Sequence, residues 1–274
     1  MGDLRIGGMA LREGVLLQSP DNWAAAVRLP DGSIKVRSGP KGRLPGHGTF
    51  DRMPLVRGVA RMVEMTSSLP AMRHALDGPV LPQEDPRLLA ATMASATATV
   101  VLRRFMKKAP LTRELAVSAL SIFPALLAVR ATELSRFHGA EHKSVAAYES
   151  GGDAESAAKE HDRCGSNLLG PLLLTNLAGG LFLRATGRDN RPLPTLLVGI
   201  VSLGSAFEIF SWMARHHGHP LADLLRAPGV TIQRLFTTRE PTEDQLDVAQ
   251  AALQELLRRE GREPAARTEP ILAV

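Results

Sequence analysis

The sequence has few cysteine and aromatic residues, and each shortage excludes a class of protein. Its single cysteine, Cys164, rules out an internal disulfide and therefore a disulfide-stabilised extracellular domain. One tyrosine and two tryptophans leave few rings on which nucleic-acid bases can stack. We therefore expect no nucleic-acid partner, although the net charge of +5 suits an anionic surface such as membrane lipid.

Two further absences concern targeting and cofactors. The N-terminal segment MGDLRIGGMALREG has no continuous apolar run, so we expect no cleaved secretory signal. The chain also has no phosphate loop or other cofactor fingerprint. A lone thiol near histidines is better suited to metal binding than to a bridge, which favours a reducing, cytoplasmic environment around Cys164.

Side chains that bind metals are concentrated in the segment RFHGAEHKSVAAY, residues 136–148. If this segment is helical, His138 and His142 lie one turn apart on one face, with Glu141 beside them. Two imidazoles so placed can chelate a divalent ion, and the carboxylate is near enough to act on a water molecule. His161 and Cys164 form a second pair further along the chain.

The two pairs leave two kinds of metal site open. A structural zinc site is closed by four nitrogen or sulfur ligands, here His138, His142, His161 and Cys164. A catalytic site instead keeps a position for water, so that three of these residues bind the ion and Glu141 is the general base. The order HxxEH also matches the inverted zincin motif. A third alternative is a polar helix end whose histidines only cap and hydrogen-bond, and the second pair favours metal over it.

Several motifs along the chain resemble those of the YqhQ-like bacterial membrane proteins, catalogued as domain of unknown function 1385. They are GGMALREGVLL near the N-terminus, PLVRG at 54–58, RFHGAEHK and HDRCGS around the histidines, and LFTTREPTEDQLDVAQAAL at 235–253. The resemblance implies a metal-dependent enzyme in a bacterial membrane and names no substrate. It also makes Glu13, in the first motif, a candidate site residue.

The first 80 residues predict a small α+β unit. Residues 24–36 form two alternating apolar runs around Pro30-Asp31-Gly32, which indicates a β-hairpin within a small antiparallel sheet. Residues 55–69 show helical periodicity, for a helix that packs on the sheet or lies along a membrane surface. Residues 77–86, rich in proline and glycine, indicate a domain boundary.

Four apolar stretches follow, and they decide whether the chain spans a membrane. They are residues 88–102, 115–131, 168–183 and 193–214. A spanning helix needs roughly 20 apolar residues, so only the last is comfortably long. The residues alone leave buried helices of a soluble bundle as an equal alternative, and the family resemblance favours membrane spans. Four spans place the N-terminal unit and the His/Cys region in the cytoplasm, although basic residues at 103–108 and 184–191 oppose that orientation.

Glu208 lies inside the longest apolar stretch. An acid in a membrane helix is costly and faces protein or water, so we predict that Glu208 is a further metal ligand or contacts one. The alternative is a shorter helix with Glu208 at its polar end. The histidines at 216, 217 and 219 stand beside Gly218 and Pro220, which indicates a solvated turn.

The C-terminal residues predict an amphipathic helix. Thr242 and Gln245 form a capping box, and an apolar face then continues to an end near Gly261. The predicted fold is therefore α+β, with four parts in chain order. They are a small basic domain (1–80), a helical multi-pass membrane domain (86–230) carrying the His/Cys region (136–166), an amphipathic helix (231–261) and a disordered tail (262–274).

The predicted function is a hydrolase of the cell membrane that uses zinc or another divalent metal at the cytoplasmic interface. Arg163 or Lys143 would stabilise the negative charge that develops during the reaction. The alternative is a non-enzymatic membrane scaffold or assembly factor with a structural zinc site. A transporter that uses Glu208 is a weaker hypothesis, because the sequence shows no internal repeat.

Overall fold

The N-terminal residues form a four-stranded antiparallel sheet. A computed structural model describes residues 4–77, 81, 84, 86–106, 110–129, 132–188 and 191–262. The strands are β1 (Gly7–Leu11), β2 (Gly14–Gln18), β3 (Asn22–Arg28) and β4 (Ile34–Pro40), paired in that order. The turn between β3 and β4 contains Gly32 at φ 86°, a left-handed conformation that suits glycine. The predicted sheet is confirmed.

The rest of the described chain is mainly helical. Its helices are α1 (His47–Phe50), α2 (Arg57–Ser67), α3 (Leu69–Leu76), α4 (Pro86–Phe105), α5 (Pro110–Val129), α6 (Thr132–Ser150), α7 (Leu169–Ala185), α8 (Pro192–Met213), α9 (Pro220–Ile232) and α10 (Glu243–Arg259). A 3₁₀ turn at Gly165–Leu168 precedes α7, and a π-helical turn at Gln233–Thr237 follows α9. The predicted α+β composition is thus confirmed.

Helices cover both faces of the sheet. On one face, Val15 and Leu17 of β2 pack against Phe137 of α6 and Leu256 of α10. On the other face, Trp23 of β3 joins a second core with residues of α3. The inner strands are therefore buried at consecutive positions. The first core joins segments from 1–80, 86–230 and 231–261 and so crosses the predicted domain boundaries.

The C-terminal helix begins where the capping box predicts. The Thr242 side chain accepts from the backbone at the third helical position, and Gln245 Oε1 accepts from the Thr242 N–H at 3.0 Å. Leu246, Leu256 and Leu257 are buried on the side that meets the sheet. An amphipathic stripe of this kind stabilises a helix mainly through its packing.

Helix α2 contacts α8, whereas the following α3 covers the sheet. Gly58 lies directly against Phe207, and Arg57 binds Glu208 through its Nε at 2.8 Å. The predicted helix at 55–69 therefore exists, but long-range contacts with α8 set its position. Residues 78–80, 82–83 and 85 of the predicted boundary, and 263–274 of the predicted tail, lie outside the described residues.

The apolar helices pack as two pairs of consecutive helices, α4 with α5 and α7 with α8, which meet through α5 and α7. Within the described chain, two segments are long and apolar enough to cross a membrane, Gly165–Ala185 and Pro192–Met213. Only 22% and 17% of their most apolar windows are buried. That these two helices cross a membrane stays a prediction, as do the other two spans and the cytoplasmic orientation.

Candidate metal centre

Helix α6 brings the first pair of histidines together. His138 and His142 are one helical turn apart, and their ring centroids are 4.4 Å from one another. Cys164, at the end of a loop after α6, places its Sγ 3.5 Å from His138 Nε2. One ligand atom from each of the three residues lies within 4.8 Å of the other two. A group this compact can hold one metal ion.

Backbone carbonyls fix the orientation of both imidazoles. His138 Nδ1 lies 2.8 Å from the carbonyl oxygen of Thr237, and His142 Nδ1 lies 2.6 Å from that of Lys159. Because a carbonyl only accepts, each Nδ1 is the donor in its hydrogen bond, which leaves Nε2 as the ring atom that can bind a metal. Burial also lowers the pKa of His142, which favours the neutral ring. Metal-ligating histidines commonly have this outer hydrogen bond.

Two fully buried amides hold the loop that leads to Cys164. The side chain of Gln233 accepts from the His161 N–H at 2.9 Å and donates to Asn167 Oδ1 at 3.2 Å. Asn167 in turn donates to the carbonyl oxygen of Asp162 at 2.8 Å. Gln233 begins the π-helical turn that ends at Thr237, the carbonyl partner of His138. Such turns often occur at functional sites.

Glu141 lies beside the two ligand nitrogens. Its Oε2 is 3.6 Å from His142 Nε2 and 3.9 Å from His138 Nε2. Burial raises the pKa of Glu141, with the charges of His138 and His161 opposing that rise. A Cβ added to Gly8 of β1 would lie 2.5 Å from Glu141 Oε1, so only glycine at this position leaves room for the carboxylate.

His161 lies next to the three-ligand group and outside it. Its ring centroid is 5.7 Å from that of His142. Both ring nitrogens already have partners: Nε2 is 3.3 Å from Glu149 Oε2, and Nδ1 accepts from the Arg163 N–H at 3.3 Å. The Arg163 guanidinium also contacts Glu149. The structure therefore brings together three of the four nitrogen and sulfur ligands that the sequence predicts.

Other predicted site residues lie elsewhere. Lys143 is buried and paired with Glu240, away from the residues that surround the histidines. Glu208 is held by Arg57 and by the Leu55 N–H at 3.1 Å, and thus joins α8 to α2 rather than to the metal ligands.

The remaining candidates occupy structural positions. Glu13 sits in the β1–β2 turn at φ 57° and binds Arg28 at 2.7 Å. His216 stacks on Trp212, and His219 caps α9 by accepting from the Leu221 N–H. These histidines therefore support the turn that the sequence indicates after α8.

The candidate ligands open onto a cavity of about 970 Å³. The cavity lies between β1, α6 and the ends of α2, α4, α5 and α8. His138, Glu141, His142 and Cys164 form its polar wall, together with His161. Apolar side chains form most of the rest, and Arg5, Arg61 and Arg163 also reach it. Burial and the neighbouring Arg5 charge lower the pKa of Arg163.

Comparison with known proteins places the chain among uncharacterised relatives. Residues 88–259 match the model of DUF1385, described as a protein of unknown function. The chain is 26% identical over 298 residues to the uncharacterized protein YqhQ of Bacillus subtilis (strain 168), an alignment that covers 93% of this chain and 92% of the relative. No solved structure matches significantly. The range that matches the family model, residues 88–259, contains the three candidate ligands, Glu141 and Gln233.

Proposed function

This chain belongs to the DUF1385 family of proteins of unknown function, and for it we propose the activity of a membrane-bound, divalent-metal-dependent hydrolase. The observation that carries the proposal is the convergence of His138 Nε2, His142 Nε2 and Cys164 Sγ beside Glu141. Two imidazoles and one thiolate are a typical zinc donor set. Three protein ligands with an open fourth position are typical of catalytic zinc sites.

The residues present fit a zinc ion. Both histidines are oriented by carbonyls with Nε2 toward the shared space, and burial favours the neutral form of His142. Among the described residues, the compact group contains no fourth nitrogen or sulfur ligand, and all three members line the cavity. A zinc ion held there would act as a Lewis acid and lower the pKa of a water molecule.

Two side chains of the cavity have the positions that hydrolysis requires. Glu141 lies beside both candidate ligand nitrogens, where it can take a proton from water and return it to a leaving group, and burial raises its pKa. Arg163 lines the same cavity and supplies a positive charge for a developing anion. Of the two predicted charge stabilisers, the geometry thus favours Arg163 over Lys143, which pairs with Glu240.

The surface of the apolar helices supports a location in the membrane. Leu196 and Ile200 of α8 are 60% and 53% exposed, and Leu174 of α7 is 49% exposed. A core helix of a soluble protein would be mostly buried, whereas lipid solvates such a surface without cost. The cavity is lined by Phe207 and Phe210 near the C-terminal end of α8 and by Ser166 and Leu168 just before α7, so we propose that the site lies at the membrane–water interface.

A structural metal site in a membrane scaffold is the second candidate. It is favoured by the loop at 151–164, which contains neither helix nor strand and ends at Cys164. A metal that links this loop to α6 would stabilise a segment that has little regular structure of its own. In that case Glu141 has no chemical role.

Metal analysis and substitution of Glu141 together test the proposal. We expect one zinc per chain in the full-length protein purified in detergent, and its loss in His138→Ala and Cys164→Ala. Glu141→Gln should keep the metal and lose about 10²- to 10⁴-fold in hydrolysis across a panel of ester, phosphoester and peptide substrates. Glu155→Gln, at an exposed position, is the matched control.

The outcomes separate the two candidates. Full metal occupancy in both ligand variants would remove the assigned site. Retained activity in Glu141→Gln, combined with unfolding of the loop when a chelator removes the metal, would establish the structural alternative instead.

A further inference from the structure

The cavity beside the candidate ligands is far larger and more apolar than a metal site alone requires. Its volume of about 970 Å³ lies at the upper end of the roughly 300–1,000 Å³ found for pockets that hold drug-sized ligands. The lining also includes Leu88 of α4, Pro124 of α5 and both Phe207 and Phe210 of α8. Apolar walls of this extent suit a hydrocarbon chain.

The charged residues of the cavity are mainly cationic. Arg61 binds Asp51 at 2.9 Å and Arg163 contacts Glu149, but neither of these acids lines the cavity. Arg5 forms no ion pair with any carboxylate in the described ranges, and it is near enough to Arg163 for their charges to repel. The guanidinium groups of Arg5 and Arg163 line the same cavity, and together they can bind one anion.

The helices that line the cavity also carry the apolar outer surface. Leu88 faces the cavity, whereas Leu89 and Met93 on the same helix are 59% and 65% exposed. Similarly, Phe207 and Phe210 line the cavity near the C-terminal end of α8. Leu196, Leu197 and Ile200, nearer the N-terminal end of the same helix, are exposed. A molecule with an apolar chain can therefore contact the same helices inside and outside the cavity.

We propose that the cavity binds an anionic membrane lipid, with its charged headgroup at Arg5 and Arg163 and its acyl chain against Phe207 and Phe210. This inference rests on the proposed function and names its substrate class: the bond to be hydrolysed lies near the headgroup, next to Glu141. Headgroup and chain are both needed, since the basic and apolar walls belong to one cavity.

Lipid binding to full-length protein in detergent tests the inference independently of catalysis. The probes are phosphatidylglycerol and phosphatidylcholine with identical acyl chains, together with glycerol phosphate as a soluble headgroup. We expect preferential retention of phosphatidylglycerol, measured by native mass spectrometry, and much weaker binding of glycerol phosphate. Equal retention of the two lipids would overturn the proposal, and equally tight binding of glycerol phosphate would assign the site to a soluble anion instead.

Matched substitutions locate the lipid. Arg5→Gln should weaken phosphatidylglycerol binding about tenfold, because it removes a charge-assisted hydrogen bond. Arg12→Gln removes the same charge at an exposed position outside the cavity and should have no effect. Phe210→Ala should weaken both lipids, whereas Phe182→Ala, 56% exposed on α7, should change neither. Equal effects of the two arginine variants would contradict the assigned headgroup position.

The proposed metal site and the proposed lipid site can be tested separately. If the protein binds zinc but shows no preference for the anionic lipid, the lipid proposal is contradicted and the metal proposal is not. A protein that prefers the anionic lipid but never contains a metal would instead sink the proposed function.

Discussion

Helices α10 and α8 are both regular, yet they differ in what surrounds them. Helix α10 buries one face on the sheet and has charged residues such as Glu243 and Arg258 outside it. Helix α8 is apolar on most of its surface, with Glu208 as its one acid, and only 17% of its most apolar stretch is buried. The first pattern is that of a helix between a core and water. The second fits the proposed location in a membrane, which would put the candidate metal centre at the boundary between lipid and water.

The comparison is tested most strongly by removing side-chain volume from each helix. Leu256 of α10 is fully buried, so Leu256→Ala should reduce the free energy of unfolding by about 2–5 kcal/mol. Leu196 of α8 is 60% exposed, and Leu196→Ala should change the free energy of unfolding by less than about 0.5 kcal/mol. Thermal unfolding in detergent measures both. Equal losses would mean that α8 is packed as a core helix.

A charge on α8 distinguishes lipid from water. Ile200→Arg, nearer the middle of α8, should hinder membrane insertion by up to about 2.5–3.5 kcal/mol, the cost of arginine at the centre of a spanning helix. Gln254→Arg adds the same charge to α10 and should be tolerated. The measurement is the fraction of each variant that stays with membranes during alkaline extraction. If Ile200→Arg leaves that fraction unchanged, α8 faces water or protein.

Substitutions of two adjacent glycines in β1 test the contact between the sheet and Glu141 of α6. Gly8→Ala places a methyl group against the Glu141 carboxylate and should displace it. A displacement of about 1 Å can reduce a rate about 100-fold, so hydrolysis should fall while the metal content holds. Gly7→Ala is the control, since open space surrounds a Cβ there. Equal activity of the two variants would argue against Glu141 as the base.

The smallest effect concerns the ion pair between Lys35 of β4 and Asp77 at the end of α3. Lys35 lies 2.6 Å from Asp77 and lowers the pKa of that carboxyl below its usual 3.8. The stabilisation is therefore present above pH 3.8 and is lost as the pH falls through the lowered value. Asp77→Asn should slightly lower the melting temperature at pH 7 in low salt, and high salt should remove the difference. A difference that grows at acid pH would contradict this pairing.

Local patterns predict much of the fold and part of the candidate site. Alternation around Gly32 indicates the hairpin, the capping box at Thr242 indicates α10, and the spacing of His138 and His142 gives one helical face. Each of these signals depends on residues that are near in sequence. The four-strand sheet and α10 therefore follow from the sequence.

The contacts that complete the centre could not be predicted in this way. The partner of His138 Nδ1 is a backbone carbonyl 99 residues away, and a carbonyl leaves no signature in the residue type. Gln233 bonds His161 across 72 residues, and Glu208 meets Arg57 across 151. Glu208 is an acid in an apolar helix, but only the folded chain shows that its partner is an arginine of α2.

The central claim is that His138, His142 and Cys164 hold one metal ion. X-ray absorption at the zinc edge of the purified full-length protein tests it directly. The expected coordination shell has one sulfur at about 2.3 Å and two imidazole nitrogens at about 2.0–2.1 Å, and Cys164→Ser should remove the sulfur. A shell containing only nitrogen and oxygen, or a sulfur signal that survives Cys164→Ser, would contradict the claim.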